Sequence, residues 1–371
     1  MSNDAIEKMS CEDKIPLLGL SAEEISALIP DAPSYTSRQI RSFCTDGKSI
    51  DEMTSVSKKM RAELAERFVA NPVEIYRVFA SSDGSKKYLF RLTDGNLIEG
   101  VYMPHDYGNT VCVSTQIGCR MNCAFCASGL DGLVRNLTWQ EILGQVTAVN
   151  RNEGGTAAKR AVTNIVLMGS GEPFDNYDNV MRFLDEVNAK DGLNVSERNI
   201  SLSTSGLADK MRMFADSGKK ITLSVSLHAP FDEMRSKLMP VNRKFRIADV
   251  VSAARYYFEK TGRRVIFEYT LIAGENDSDA CAERLAELTA GFPAHINLIR
   301  LNEVKERGMK RPDAKSAERF LAKLTDYGVS ATLRRSFGAD IEGACGQLRR
   351  RVLSENNAAG TADSNGTGGE Q

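Results

Sequence analysis

The chain has 371 residues, 42% of them hydrophobic, and its 48 basic and 49 acidic side chains leave a formal net charge of −1. That length allows a large core and more than one domain, and no apolar run approaches the ~20 residues a membrane-spanning helix needs.

Residues 1–13 hold four acids and one lysine and read as a disordered start. They have neither the basic opening nor the apolar segment of a secretory signal, so the expected location is cytoplasmic. In that reducing compartment, clustered cysteines point to metal or redox chemistry more than to disulfides. Residues 14–75 read as a small helical domain: Ser21 and Glu24 form a capping-box pattern, and Lys58, Lys59, Arg61 and Arg67 line an amphipathic run. Residues 76–103 read as an antiparallel hairpin extension, in which EIYRVFA, KYLFRL and LIEGVYM are separated by Asp83-Gly84 and Asp94-Gly95.

From residue 104 to 353 the pattern becomes α/β. Apolar runs TVCVSTQIG, NIVLMGSG, NISLSTSG, ITLSVSLHA, RVIFEYTLIAG, HINLIRLNE and VSATLRRSFG alternate with helical stretches such as TWQEILGQVTAVNR and IADVVSAARYYFEKTG. This predicts parallel strands with crossover helices, in a barrel or an open sheet. Residues 354–371 are almost free of apolar side chains and read as a disordered tail. Each acidic end carries −3, which leaves +5 for the body. A mildly basic body is compatible with RNA binding, but on charge alone an ordinary solvated surface is the favoured reading.

Parallel α/β folds build active sites at the C-terminal ends of their strands. CRMNCAFC follows the first run, Gly169-Ser-Gly-Glu-Pro173 the second and Ser203-Thr-Ser-Gly the third. Ser226-Leu227-His228 ends the fourth, Asn302 the sixth, and Cys345 follows the seventh. The phosphate-binding fingerprint of a nucleotide fold is missing after the first strand, and Cys119, Cys123 and Cys126 stand in its place. Three local thiolates can hold a [4Fe–4S] cube with one iron left open for a ligand, or zinc with a distant fourth ligand.

The CxxxCxxC spacing at that position resembles the radical S-adenosylmethionine (SAM) superfamily. The resemblance implies a partial (βα)6 barrel, with SAM on the free iron cleaved to a 5′-deoxyadenosyl radical. It also makes Gly171 and Glu172 part of the SAM-binding motif. In combination, CVSTQIGC, CRMNCAFC, GSGEPFDNYDNV, LSTSG, SLHAP, RSKLMPVN and DIEGACGQL resemble the RlmN family of RNA methyltransferases, from about residue 14 to 350.

What that family does is then the expectation: methylation of adenosine C2 in 23S ribosomal RNA and in tRNA just 3′ of the anticodon. The resemblance implies two SAM molecules per turnover, one methylating Cys345 and one generating the radical. It gives Cys112 the role of releasing the product by a disulfide with Cys345, and Glu99 that of proton acceptor. Gly171, Glu172, Ser203, Ser226, Leu227, His228 and Asn302 match the family's SAM contacts. From the residues alone, Cys112 reads as a small buried hydrophobe and Glu99 as a polar residue on the outer face of a hairpin. The chemistry explains the relay, because adenine C2 is electron-poor and cannot attack a sulfonium methyl, whereas a thiolate can.

Further expectations are an electron donor such as flavodoxin or ferredoxin, a thiol reductant, and a monomer. Arg38, Arg41, Lys58, Lys59, Arg61 and Arg349 to Arg351 are candidate phosphate contacts. An extruded adenosine is expected, since one base must reach a buried site. Two alternatives stand beside this reading. The sister Cfr family methylates C8 of the same ribosomal adenosine, and Phe337-Gly338 resembles it. However, Cfr carries an extra cysteine where this chain has Ile117. A non-enzymatic zinc RNA-binding protein would have no use for Cys345. Ser170 and Arg300 depart from the methionine and proline common in the RlmN family.

Overall fold

The computed structural model describes residues 13–334 together with Gly338, Leu348 and Val352. Cys345 and Arg349 to Arg351 therefore lie outside the described residues. The chain opens with β1 (Ile15–Pro16), α1 (Ala22–Leu28), α2 (Ser34–Thr45), α3 (Lys58–Arg67) and β2 (Phe68–Val69). The Ser21–Glu24 capping box starts α1 as expected. The helical unit also has a short parallel β1–β2 ladder, which composition did not suggest. Arg41 is a correction. It is buried on α2 and donates to the Gly19 and Leu20 carbonyls and to Asp191, so it ties this unit to the following domain rather than waiting for phosphate.

Next come β3 (Val73–Ala80), β4 (Lys86–Leu92) and β5 (Leu97–Met103), an antiparallel meander turning at the two Asp-Gly sites. Its register slips between Ile75 and Arg77, which marks a bulge. Then follow β6 (Thr110–Cys112), β7 (Gln116–Gly118), β8 (Leu133–Asn136), α4 (Trp139–Asn152), β9 (Asn164–Leu167), α5 (Tyr177–Asn188), β10 (Ile200–Thr204), α6 (Ala208–Asp216), β11 (Thr222–Ser226) and α7 (Asp232–Leu238). The chain continues through α8 (Ile247–Thr261), β12 (Val265–Leu271), α9 (Asp279–Thr289), β13 (Ala294–Arg300), α10 (Ala314–Asp326) and β14 (Ala331–Leu333).

One ten-stranded sheet runs β14-β13-β12-β11-β10-β9-β6-β5-β4-β3. It is parallel from β14 to β6 and antiparallel from β6 to β3, so the hairpin extension continues the wall of the main sheet. The sheet is mixed α/β with helices packed on it. Helices α6 and α8 meet through Phe214 and Tyr257, stacked with ring centroids 5.7 Å apart and fully buried. Burial of each such ring contributes about 1.5–3 kcal/mol.

The run TVCVSTQIG is not one strand. The chain leaves the sheet after Cys112, and β7 pairs antiparallel with β8 in a separate ribbon. The backbone between them serves the next turn instead: Thr115 and Gln116 N–H groups both donate to the Ser170 carbonyl. Helices α6 and α7 add to the helical stretches read from sequence. Neither has a side-chain N-cap, and both are short, so they lack a start signal.

Candidate active site

A cavity of about 300 Å³ lies at the C-terminal ends of the parallel strands. It is lined by Cys119, Cys123 and Cys126, and by residues at the ends of β9 to β13: Met168, Glu172, Ser203, Ser226, His228, Glu268 and Asn302. A flat array from β9 to β14 would span ~24 Å. All these strand ends reach one small cavity, so the sheet is rolled into a partial barrel.

The cysteine loop is fixed from several sides. Gly118 has φ +77, and a Cβ there would lie 2.0 Å from the Gly132 carbonyl oxygen, so only glycine fits where the loop begins. The Cys119 N–H donates to Gly132 O at 2.9 Å, the Ala124 N–H to Leu238 O at 2.8 Å, and Arg307 reaches Asn122 Oδ1 at 3.0 Å. Ala229, Leu238, Met239, Ile272 and Leu301 form an apolar patch against Cys123 and Phe125. Burial pushes the Cys119 thiol up to about 12 and the Cys123 thiol well above its usual value; Glu172 and Cys126 add to both shifts, and Cys119 adds to that of Cys123. Cys119 is buried and Cys123 and Cys126 are half-buried, so a bound cation would favour their thiolates. Among the described residues no group of three or more His, Cys, Asp or Glu is arranged to hold a single metal ion. Three cysteines on one short loop are a donor set that an iron–sulfur cube can take.

The Gly169-Ser-Gly-Glu turn is held by Ser114 and Gln116. Ser114 Oγ accepts the Ser170 N–H at 2.9 Å and donates to Glu99 O at 2.8 Å. Gln116 Oε1 accepts the Glu172 N–H at 2.8 Å. Gly171 has φ +111, and a Cβ would lie 2.7 Å from Gln116 Cβ. Glu172 is buried and accepts N–H groups from Ser205 at 2.6 Å and Phe174 at 3.1 Å. Burial raises its carboxyl above the ordinary value, partly offset by these donors.

His228 has φ +54 and is buried, with Nδ1 accepting the Thr270 N–H at 2.9 Å. Its ring meets Phe125 edge-on, centroids 4.7 Å apart. Burial pushes it down to about 3, so the ring is neutral. Leu227 differs from the others: it is fully buried in the main core and is not among the cavity-lining residues.

Two expected residues sit one and two strands beyond β9. Cys112 ends β6, buried, opposite Val101 on β5 and Val166 on β9. Glu99, on β5, is not on an outer face: it is buried and ion-paired with the buried Lys87 at 3.0 Å. The described residues Leu348 and Val352 pack against Leu89 and Leu97 of this same hairpin.

Sequence reading missed two residues. Glu268, in the cavity wall, has a buried Oε2 with no hydrogen-bond partner and Arg334 4.0 Å away. An orphaned carboxylate oxygen facing a cavity fits a ligand that brings polar groups. A lone acid inside the apolar run VIFEYTL was the available signal. Arg235 is fully buried and donates to five acceptors, among them the Ser205, Ser226 and Leu227 carbonyls. It ties the ends of β10 and β11 together. Burial lowers it to about 10, still cationic at neutral pH.

The Radical SAM superfamily model matches residues 113–288. A probable dual-specificity RNA methyltransferase RlmN from Alkaliphilus oremlandii is 46% identical over 92% of this chain and 99% of its own length. One from Clostridium perfringens is 50% identical over 82% and 87%. A solved radical SAM methyltransferase from Sphaerobacter thermophilus superposes with a TM-score of 0.85 at 43% identity, covering 90% of this chain and 98% of that one. No described helix is long and apolar enough to cross a membrane. Likeness of this degree, over nearly the full length and around a cavity that unites the cysteine loop with the glycine-rich turn, places the chain in the RlmN family of radical SAM enzymes, as a SAM-dependent RNA methyltransferase.

Proposed function

We propose that the protein methylates C2 of an adenosine in 23S ribosomal RNA and of the adenosine 3′ of the anticodon in tRNA. The observation that carries this is the convergence of Cys119, Cys123, Cys126, Glu172, Ser203, Ser226, His228 and Asn302 on one cavity, with Cys112 and Glu99 on the adjoining strands. Cys119, Cys123 and Cys126 would hold a [4Fe–4S] cluster, and Glu172 with its neighbours would seat SAM. When bound, these groups supply a methyl carbon and one-electron hydrogen abstraction, with two SAM molecules used per turnover.

The protein's own residues do the rest. The Cys345 thiolate is the nucleophile that receives the methyl carbon and delivers it to the ring carbon. Glu99 takes the proton from that carbon. Cys112 attacks the sulfur of the adduct and breaks its S–C bond, forming a disulfide with Cys345. The carbon keeps that electron pair and takes a proton to become the methyl group, and the adduct's unpaired electron would return to the cluster. A thiol reductant restores both thiols. Electrons come from a flavodoxin or ferredoxin. The helical unit at 14–75 serves RNA binding, with Arg38, Lys58 and Lys59 exposed for phosphates. The protein acts as a cytoplasmic monomer.

Mass-spectrometric mapping of methylated 23S fragments and anticodon stem-loops tests this reading. A 2-methyladenosine product supports it, while 8-methyladenosine would place the chain with Cfr-type chemistry. Anaerobically purified protein should absorb broadly at roughly 400 nm. Cys345→Ala should abolish methylation and keep that absorption.

A further inference from the structure

A second cavity, of about 530 Å³, opens beside the first, and Arg334 lines both. Its wall includes Met103 and Val166, which pack against Cys112. Across from them stand His105 and Tyr107, with rings stacked at 4.7 Å between centroids and 9° between planes. Tyr107 is 80% exposed, more than any other large hydrophobic side chain among the described residues.

The turn that carries these rings is closed by a backbone hydrogen bond. The Gly108 N–H donates to His105 O at 3.0 Å. Gly108 has φ +125, and a Cβ there would lie 2.4 Å from Thr163 Oγ1, so this turn cannot easily be rebuilt with another residue. Burial and the Arg334 charge hold the His105 ring below its usual range, which keeps it neutral for stacking. Asp106, in the same turn, and Arg334 both line the cavity, so the two charges oppose each other there. An exposed aromatic face beside them suits the flat face of a base.

We propose that His105 and Tyr107 are a stacking platform for the nucleobase next to the methylated adenosine. This rests on the RNA reading above. Extruding one base strips its neighbour of a stacking partner, and an aromatic ring replaces it. The platform precedes β6, packs through Gly108 on Thr163 just before β9, and lines a cavity that meets the reaction cavity at Arg334.

Anaerobic methylation of an RNA hairpin by the full chain, with dithionite as reductant, tests it. Tyr107→Ala should raise the KM for RNA about 5- to 150-fold, and Tyr107→Phe should stay near the parent. Visible absorption and RNA-independent SAM cleavage should not change in either variant. In the parent, an abasic nucleotide on one side of the target should raise KM by a similar factor, and in Tyr107→Ala it should add little. An unchanged KM in Tyr107→Ala, or an equal abasic effect in both proteins, overturns the platform. So does slowed turnover that appears only when a protein electron donor replaces dithionite, which would assign the rings to that partner. If the parent methylates no RNA at all, the RNA reading fails instead.

Discussion

Lys87 Nζ lies 3.0 Å from Glu99 Oε2, and the two side chains are 0% and 4% exposed. They share a sheet face with Leu89 and Leu97, so neither charge has easy access to water. Removing one partner leaves a buried charge unpaired, which costs about 3–5 kcal/mol. Lys87→Met should lose about that much in urea unfolding, and Lys87→Met combined with Glu99→Gln should lose distinctly less than the two single losses added together. Strict additivity would show that the pair is not coupled.

Arg235→Met should be among the most damaging single changes outside the cysteines. It takes a donor from the Ser205 and Ser226 carbonyls in a dry region, while the Leu227 carbonyl keeps the Ala229 N–H. Unsatisfied buried groups cost ~1–3 kcal/mol each, so a loss of about 3 kcal/mol or more is expected, together with weaker SAM binding. Equilibrium unfolding and isothermal titration with SAM measure the two effects. Normal SAM affinity in a folded variant would show that the guanidinium does not shape the pocket.

His228 predicts an acid sensitivity. Its folded value is about 3 and its unfolded value about 6.5. Between these the unfolded chain binds the proton first. The contribution is therefore full above pH 6.5 and falls as pH drops, by about 1.4 kcal/mol per unit for this one group. Unfolding free energies of the parent and His228→Gln, taken at pH 7.5, 6 and 5, should converge as pH falls. Parallel curves would refute it.

Gly171→Ala places a methyl 2.7 Å from Gln116 Cβ at a φ of +111. The strained backbone alone costs roughly 1–3 kcal/mol. The turn should shift, and SAM affinity should fall at least tenfold while anaerobic absorption persists. Unaltered affinity would mean the turn does not touch the cofactor.

Much of the site was legible because its chemistry is local. The cysteine spacing, the glycine-rich turn and the polar residues at strand ends are short segments, and parallel topology does the gathering. What escaped was set by tertiary contact. Arg41 looked like any basic residue on an amphipathic helix, yet its partners Asp191 and Glu186 lie about 150 residues away. Arg235 was quoted only within a family motif, and its role depends on carbonyls from two strand ends that no periodicity reveals. TVCVSTQIG read as one strand because its β-propensity runs unbroken. Its second half is diverted because the Gly169-Ser-Gly-Glu turn needs those backbone amides.

Among the described residues the sheet ends on β14 and β3, and an edge strand presents amide and carbonyl groups to other chains. On β3 the bulge between Ile75 and Arg77 breaks the straight run of such groups, and exposed Glu74 and Arg77 flank it. A kinked, charged rim is a poor template for another strand, which protects the protein against edge-to-edge aggregation. An outer strand of this sheet thus carries its own guard against further copies of the chain.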